Sequence, residues 1–168
     1  MTNFKQKLAD VNTFIFDVDG VFTNGSLIIM PNGDQVRTMN IKDGYAVQLA
    51  IKKGFKIAII SGGKSEGVIK RFQGLGLTDI YMGVHRKTDA FEEYTHLYDI
   101  NPEHILYMGD DLPDYEVMKK VGIPTCPADA AHEIREISSY ISNKKGGEGC
   151  VRDIIEQVLK LKGLWVDE

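Results

Sequence analysis

The run Thr13-Phe14-Ile15-Phe16-Asp17-Val18-Asp19-Gly20 closes an apolar stretch with two acids one residue apart. On extended backbone both carboxylates point the same way, and Gly20 lets the chain turn beneath them. Two carboxylates about 4 Å apart repel by roughly 4 kcal/mol at an effective dielectric of about 20. A bound cation offsets that repulsion, or else one acid is protonated; the plain alternative is that Asp17 and Asp19 merely cap turns. Two more apolar runs end in polar groups: residues 56–60 in Ser61-Gly62-Gly63, and residues 105–108 in Gly109-Asp110-Asp111, with Asp114 just beyond. Lys87 opens an expected helix. Each feature alone reads equally well as a turn or a solvated helix start. Together, acids with one lysine and one serine suit phosphoryl transfer through a hard cation. Magnesium fits, because it prefers oxygen ligands and takes only one or two carboxylates from protein. His85, two residues before Lys87, reads as a solvated loop residue.

These groups need strands whose carboxyl ends share one edge. Apolar runs at 13–16, 56–60, 79–82, 105–108 and 123–126 predict five buried strands. Helices are expected between them: 43–53 with Asp43 as N-cap and Gly54 as stop, 65–75 capped by Ser65, 87–98, and 113–121 opened by Pro113. A short helix past Ala128, a brief apolar run at Tyr140-Ile141, the loop 144–149 and a last helix 150–162 follow. Ile154, Ile155, Val158, Leu159 and Leu161 give that helix an apolar face. Alternation of strand and helix predicts an α/β fold with a doubly wound, mostly parallel, Rossmann-like sheet. In such a sheet ligands bind beyond the carboxyl ends of the strands. Residues 26–30 and 35–40 around Pro31-Asn32-Gly33-Asp34 read as a projecting β-hairpin. The hairpin and one helix fill the span from 24 to 60 and leave no room for an inserted cap domain.

A chain of 168 residues with 43% hydrophobic and 26% charged residues is expected to be one globular domain, 1–168. The net charge of −4 argues against a nucleic-acid partner. No apolar stretch approaches the ~20 residues that span a bilayer. The stretch Met1–Lys7 lacks the apolar core of a secretion signal, so a cytoplasmic location is expected. Cys126 and Cys150 have neither zinc-ligand spacing nor an oxidising setting and read as packing residues.

Asp17-Val18-Asp19-Gly20-Val21-x-Thr23, Ser61, Lys87 and Gly109-Asp110-Asp111-x-x-Asp114 stand in the order of the four motifs of the haloacid dehalogenase superfamily phosphatases. Within it, the whole chain resembles the 3-deoxy-D-manno-octulosonate 8-phosphate phosphatases, through 40–44, 61–63, 109–111 and 146–149 in particular. Phosphatases of a nine-carbon sugar acid look much alike. The resemblance implies that Asp17 is the nucleophile, forming an aspartyl-phosphate. Asp19 would protonate the leaving oxygen and then activate water. Magnesium would be held by the carboxylates of Asp17 and Asp110 and the backbone carbonyl of Asp19. Asp111 and Asp114 would orient those ligands and Lys87. Ser61, Gly62 and Lys87 would bind phosphate oxygens.

A sugar acid brings a second anion. Arg71 offers it a two-pronged donor, Gly63 leaves the entrance uncrowded, and Asp43 is placed to meet sugar hydroxyls unless it only caps its helix. The resembled family is a homotetramer in which a neighbouring subunit acts as lid, a role open here to the hairpin. The segment 146–149 and the tail around Leu164-Trp165 are further candidates to close over a neighbour's site, with packing the alternative for Trp165. The competing readings are a non-catalytic assembly or regulatory domain, a receiver-type signalling domain and a phosphomutase. The first two are opposed by the complete acid set and by Asp-x-Asp on one strand, the third by the missing lid. If the resemblance holds, the product feeds lipopolysaccharide assembly.

Overall fold

The computed structural model describes residues 3–166. Met1 and Thr2, which open the stretch read for a secretion signal, and the ends of the expected domain 1–168 lie outside the described residues. In chain order the elements are α1 (Phe4–Asp10), β1 (Thr13–Phe16), β2 (Ile28–Ile29), β3 (Gln35–Val36), α2 (Ile41–Lys52), β4 (Lys56–Ile60), α3 (Glu66–Gly74) and β5 (Asp79–Tyr81). After them come α4 (Lys87–Leu97), β6 (Ile105–Met108), α5 (Tyr115–Met118), β7 (Ile123–Cys126), α6 (His132–Ile137), β8 (Tyr140–Ile141) and α7 (Cys150–Leu161).

Six strands form one parallel sheet in the order β5-β4-β1-β6-β7-β8. β1 lies in the middle, hydrogen-bonded to β4 on one side and β6 on the other, with Phe16 opposite both Ile59 and Met108. Chain order reverses at β1, so its carboxyl end is the topological switch point where an open α/β sheet binds ligands. Successive residues of β1 face opposite sides. Phe14 and Phe16 enter a core built with α1, α2, α3 and α7, whereas Ile15 packs with α4, α5 and α6. Every β1 residue is buried, as a strand covered by helices on both faces requires.

The doubly wound parallel fold matches the expectation, with refinements at its edges. The run Tyr140-Ile141 is a sixth strand, pairing with Thr125 and Cys126 of β7. α1 was not anticipated; a capping box of Asn3 and Gln6 starts it. The hairpin is present, but its paired strands are two residues each, Ile28 opposite Val36 and Ile29 opposite Gln35. It is also apolar and uncovered, with Ile28 and Ile29 56% and 63% exposed. Leu161 is exposed rather than part of the buried α7 face, which is formed by Ile154, Ile155, Val158 and Leu159. Cys126 and Cys150 are free and buried. Among the described residues no helix is long and apolar enough to cross a membrane.

Candidate active site

β1 delivers Asp17 directly, because its N–H still bonds to the Met108 carbonyl, 3.1 Å away, as the sheet ladder dictates. The chain then winds into a turn in which the Val18 carbonyl accepts from the N–H groups of Val21, Phe22 and Thr23. Gly20 has φ +84°, and a Cβ there would fall 1.8 Å from Asp110 Oδ2. A side chain at 20 would therefore displace the acid arriving from β6. The Thr23 hydroxyl accepts from Gly20 and Gly25 and fixes the far side of the turn.

Lys87 heads α4 and is buried. Its ammonium lies 2.9 Å from Asp17 Oδ2 and 2.7 Å from Asp114 Oδ1. Asp114 lies behind the site with no solvent exposure, and its oxygens are saturated: Oδ1 also accepts from the Tyr107 hydroxyl at 2.6 Å, and Oδ2 from the N–H groups of Asp110 and Asp111. A carboxylate with so many donors is built to hold others in place. Burial alone would lower the Lys87 ammonium, but the Asp114 and Asp17 charges outweigh it and raise its pKa. Asp17 accepts from the Val18 N–H at 2.6 Å. Burial, and then the charge of Asp114, push its carboxyl up to about 7 against the opposing pull of Lys87. Burial and the charges of Asp17 and Asp114 push Asp110 up to about 8.

Ser61 continues β4, its N–H bonded to the Tyr81 carbonyl and its hydroxyl accepting from the Gly63 N–H at 3.2 Å. Asp17, Asp19, Ser61, Gly62, Gly63, Lys87, Asp110 and Asp111 line one open cleft of about 890 Å³, with the exposed His85 at its rim. The expected convergence of residues 17, 19, 61, 87 and 110 is thus present.

Oxygen atoms of Asp17, Asp110 and Asp114 lie within 4.8 Å of one another. Asp17 and Asp110 are pushed toward the neutral form by burial and by neighbouring carboxylates, and this oxygen-only donor set contains neither histidine nor thiolate. Both properties suit a hard divalent cation. Asp114, bonded to Lys87, Tyr107 and two backbone amides, is better placed as a support than as a ligand.

Asp43 and Arg71 do not line the acidic cleft. Asp43 is not the N-cap of α2, a role taken by Asn40, whose side chain accepts from Lys42 N–H. Asp43 instead has no exposure and accepts from the Arg152 N–H at 2.9 Å, in the first turn of α7. Its other oxygen is buried with no hydrogen-bond partner among the described residues, and burial pushes its carboxyl up to about 6. In that position its carboxylate ties α2 to the N-terminus of α7. Arg71 is exposed and lines a second cleft of about 820 Å³, shared with Arg37, Lys64 and Lys70, rather than the acidic one. The glycine-rich segment braces the chain's own Asp17 loop. Gly147 N–H bonds to the Val21 carbonyl, and a Cβ on Gly146 would stand 2.0 Å from the Gly20 carbonyl oxygen. Trp165 packs edge-on to Tyr45 and over the Arg152 guanidinium.

The sequence reading missed Arg37, which follows β3 and grips Asp19 with two bonds, Nε–Oδ1 at 2.7 Å and Nη2–Oδ2 at 3.1 Å. It also missed Tyr107, whose place within an apolar strand was the available signal: a buried hydroxyl needs a partner.

A protein-family model for haloacid dehalogenase-like hydrolases matches residues 76–154. The 3-deoxy-D-manno-octulosonate 8-phosphate phosphatase KdsC of Escherichia coli K12 is 35% identical over 157 residues, 94% of this chain and 84% of that one. The chain belongs to the haloacid dehalogenase-like hydrolases. It is a phosphoric monoester hydrolase of that family. Solved haloacid dehalogenase-like structures share its fold. The 3-deoxy-D-manno-octulosonate 8-phosphate phosphatase of Yersinia pestis superposes with a TM-score of 0.93 at 32% identity, covering 96% of this chain and 87% of that one. The enzyme of the same name from Moraxella catarrhalis, solved with magnesium ion, phosphate ion and KDO, gives 0.92 at 32% identity, covering 96% and 92%. The Haemophilus influenzae deoxy-D-mannose-octulosonate 8-phosphate phosphatase, in a cobalt-bound form, gives 0.91 at 26% identity, covering 95% and 94%.

Proposed function

We propose that this chain, as a single domain, hydrolyses 3-deoxy-D-manno-octulosonate 8-phosphate to the free sugar acid and phosphate. The reading rests above all on one geometry: Asp17, at the switch point of the sheet, is gripped by Lys87 beside Asp110 in an open cleft. It is supported by the relative from Escherichia coli and by the Moraxella catarrhalis structure that holds magnesium, phosphate and KDO together.

Asp17 is the nucleophile. Its Oδ1 is engaged by the Val18 amide and its Oδ2 by Lys87, so the carboxylate has a fixed bearing when it attacks phosphorus to form an aspartyl-phosphate. Asp19, on the same loop, gives a proton to the leaving sugar oxygen and takes one from the water that opens the intermediate. The Ser61 hydroxyl, the Gly62 amide and Lys87 receive the phosphate oxygens. Asp114 holds Lys87 in place, and Asp111 steadies the loop beside Asp110. Magnesium would be held by the Asp17 and Asp110 carboxylates and the Asp19 backbone carbonyl, and when bound it screens the repulsion between an anionic phosphate and an anionic nucleophile.

Gly63 and the neighbouring basic cleft with Arg71 receive the sugar-acid end. The uncovered apolar hairpin is the contact through which we propose a homotetramer, each site walled by a neighbouring subunit. No nucleic acid or membrane takes part, and the enzyme works in the cytoplasm ahead of lipopolysaccharide assembly. The test is a panel of eight- and nine-carbon sugar-acid phosphates and neutral sugar phosphates, compared by kcat/KM with magnesium present. The eight-carbon 8-phosphate is expected to lead by about 10-fold or more; a lead by the nine-carbon 9-phosphate transfers the assignment to that substrate.

A further inference from the structure

Arg37 belongs to both clefts. Its side chain is 2% exposed and lines the basic cleft, while its guanidinium reaches across to Asp19, which lines the acidic one. Nε bonds Oδ1, Nη2 bonds Oδ2, and Nη1 bonds the Gln35 carbonyl at 3.2 Å, so the fork is anchored to the hairpin strand that carries it. Space for this pair depends on Gly63. A Cβ there would stand 2.9 Å from Arg37 Nη2 and 3.0 Å from Asp19 Oδ2. Both carboxylate oxygens of Asp19 are therefore turned to the guanidinium, although the carboxylate is 35% exposed at the cleft.

A carboxylate engaged at both oxygens by a planar fork is held in one orientation, aimed at the guanidinium rather than at a leaving-group oxygen. Freeing it needs a competing anion for the fork. The basic cleft, where Arg37 stands beside Lys64 and Arg71, is where such an anion would lie. We infer that Arg37 is a specificity-determining positioning residue: it parks Asp19, and releases it when the second anionic group of the substrate, a carboxylate, takes the guanidinium. This rests on the sugar-acid reading above and deepens it. Phosphate esters that lack a second anion bind the acidic cleft yet leave Asp19 parked, so they turn over slowly. Lys64 and Arg71 supply further positive charge to the same carboxylate, and Arg37 is the one among them bonded to the proton-transfer group.

The experiment compares two primary phosphate esters of similar leaving group, 3-deoxy-D-manno-octulosonate 8-phosphate and the neutral sugar ester glucose 6-phosphate. Both are assayed with the wild type, Arg37→Met and Arg37→Lys. Arg37→Met is expected to weaken the sugar-acid ester about 100-fold in kcat/KM, mostly through KM, and to raise kcat on the neutral ester several-fold because Asp19 is no longer held. Arg37→Lys, which keeps the charge and loses the second prong, recovers part of the sugar-acid preference. An equal fall on both esters in both variants would mark Arg37 as merely structural and overturn the proposal. If the wild type prefers the sugar acid and Arg37→Met keeps that preference, the role of Arg37 fails while the substrate assignment stands. A wild type with no preference for the sugar acid overturns both.

Discussion

The ammonium of Lys87 stands 2.9 Å from the Asp17 carboxylate, and both side chains are nearly sealed from solvent. Lys87 does not depend on Asp17 for its counter-charge, because Asp114 is closer, at 2.7 Å, and fully buried. Neutralising Asp17 therefore leaves no orphaned cation, the usual reason why breaking a buried pair is costly. Asp17→Asn is expected to fold with a melting temperature close to that of the wild type and, as the loss of the proposed nucleophile, to lose turnover by about 10⁴-fold or more. Circular dichroism and a phosphate-release assay on the same sample check both halves. Substantial residual turnover would remove Asp17 from the mechanism.

A second expectation concerns magnesium and pH. Burial, with the charge of Asp114 at Asp17 and those of Asp17 and Asp114 at Asp110, raises the folded-state pKa of Asp17 to about 7 and of Asp110 to about 8, above the ordinary 3.8. A raised acid contributes stability that is complete below its unfolded pKa and is lost as pH climbs through the folded value. Without metal, stability should therefore fall between about pH 4 and 8. A divalent cation prefers the ionised pair, so its stabilisation grows across the same interval. Adding millimolar magnesium should raise the melting temperature more at pH 8 than at pH 5. Equal shifts at both pH values would mean that the ion binds elsewhere.

Asp43 gives a separable pH signature. Its folded value of about 6 is also raised, by burial, so it too contributes stability fully present below about pH 4 and lost as pH passes 6. The stability of the wild type relative to Asp43→Asn should decline over that window, by at most ~3 kcal/mol. Denaturant melts at pH 4, 5, 6 and 7 measure it. A difference that stays flat with pH would show the carboxyl already ionised at pH 4.

The exposed Ile28 and Ile29 on β2 predict assembly through the hairpin. Light scattering at assay concentrations should return a mass near four chains for the wild type and a smaller one for Ile29→Asp, with activity falling alongside. A monomeric wild type that is fully active would end the idea of a borrowed wall.

Much of this architecture was legible because parallel strands buried on both faces read as unbroken apolar runs, and the residue where each run stops lies at the sheet edge where ligands bind. That is why Asp17, Ser61 and Asp110 could be placed together before any fold was known, and Lys87 with them. What was not legible depends on partners far away in sequence. Arg37 meets Asp19 only because a short hairpin folds back, and no periodicity marks a residue for such a return. Asp43 and Asn40 are both plausible caps by type; the decision came from α7, whose first turn took the Asp43 carboxylate as its own acceptor. The run Tyr140-Ile141 was too short to announce a strand, and β7 made it one.

The backbone of Gly146 lies so close to the Gly20 carbonyl that the two loops have room for nothing between them, and Cys150 Sγ reaches the Val21 carbonyl at 3.1 Å. Asp17, Asp19, Asp110, Asp111 and Asp114 all precede this brace in the chain. The loop that carries Asp17 is therefore completed by residues about 130 positions away, and α7 has to dock before that loop has its full set of contacts.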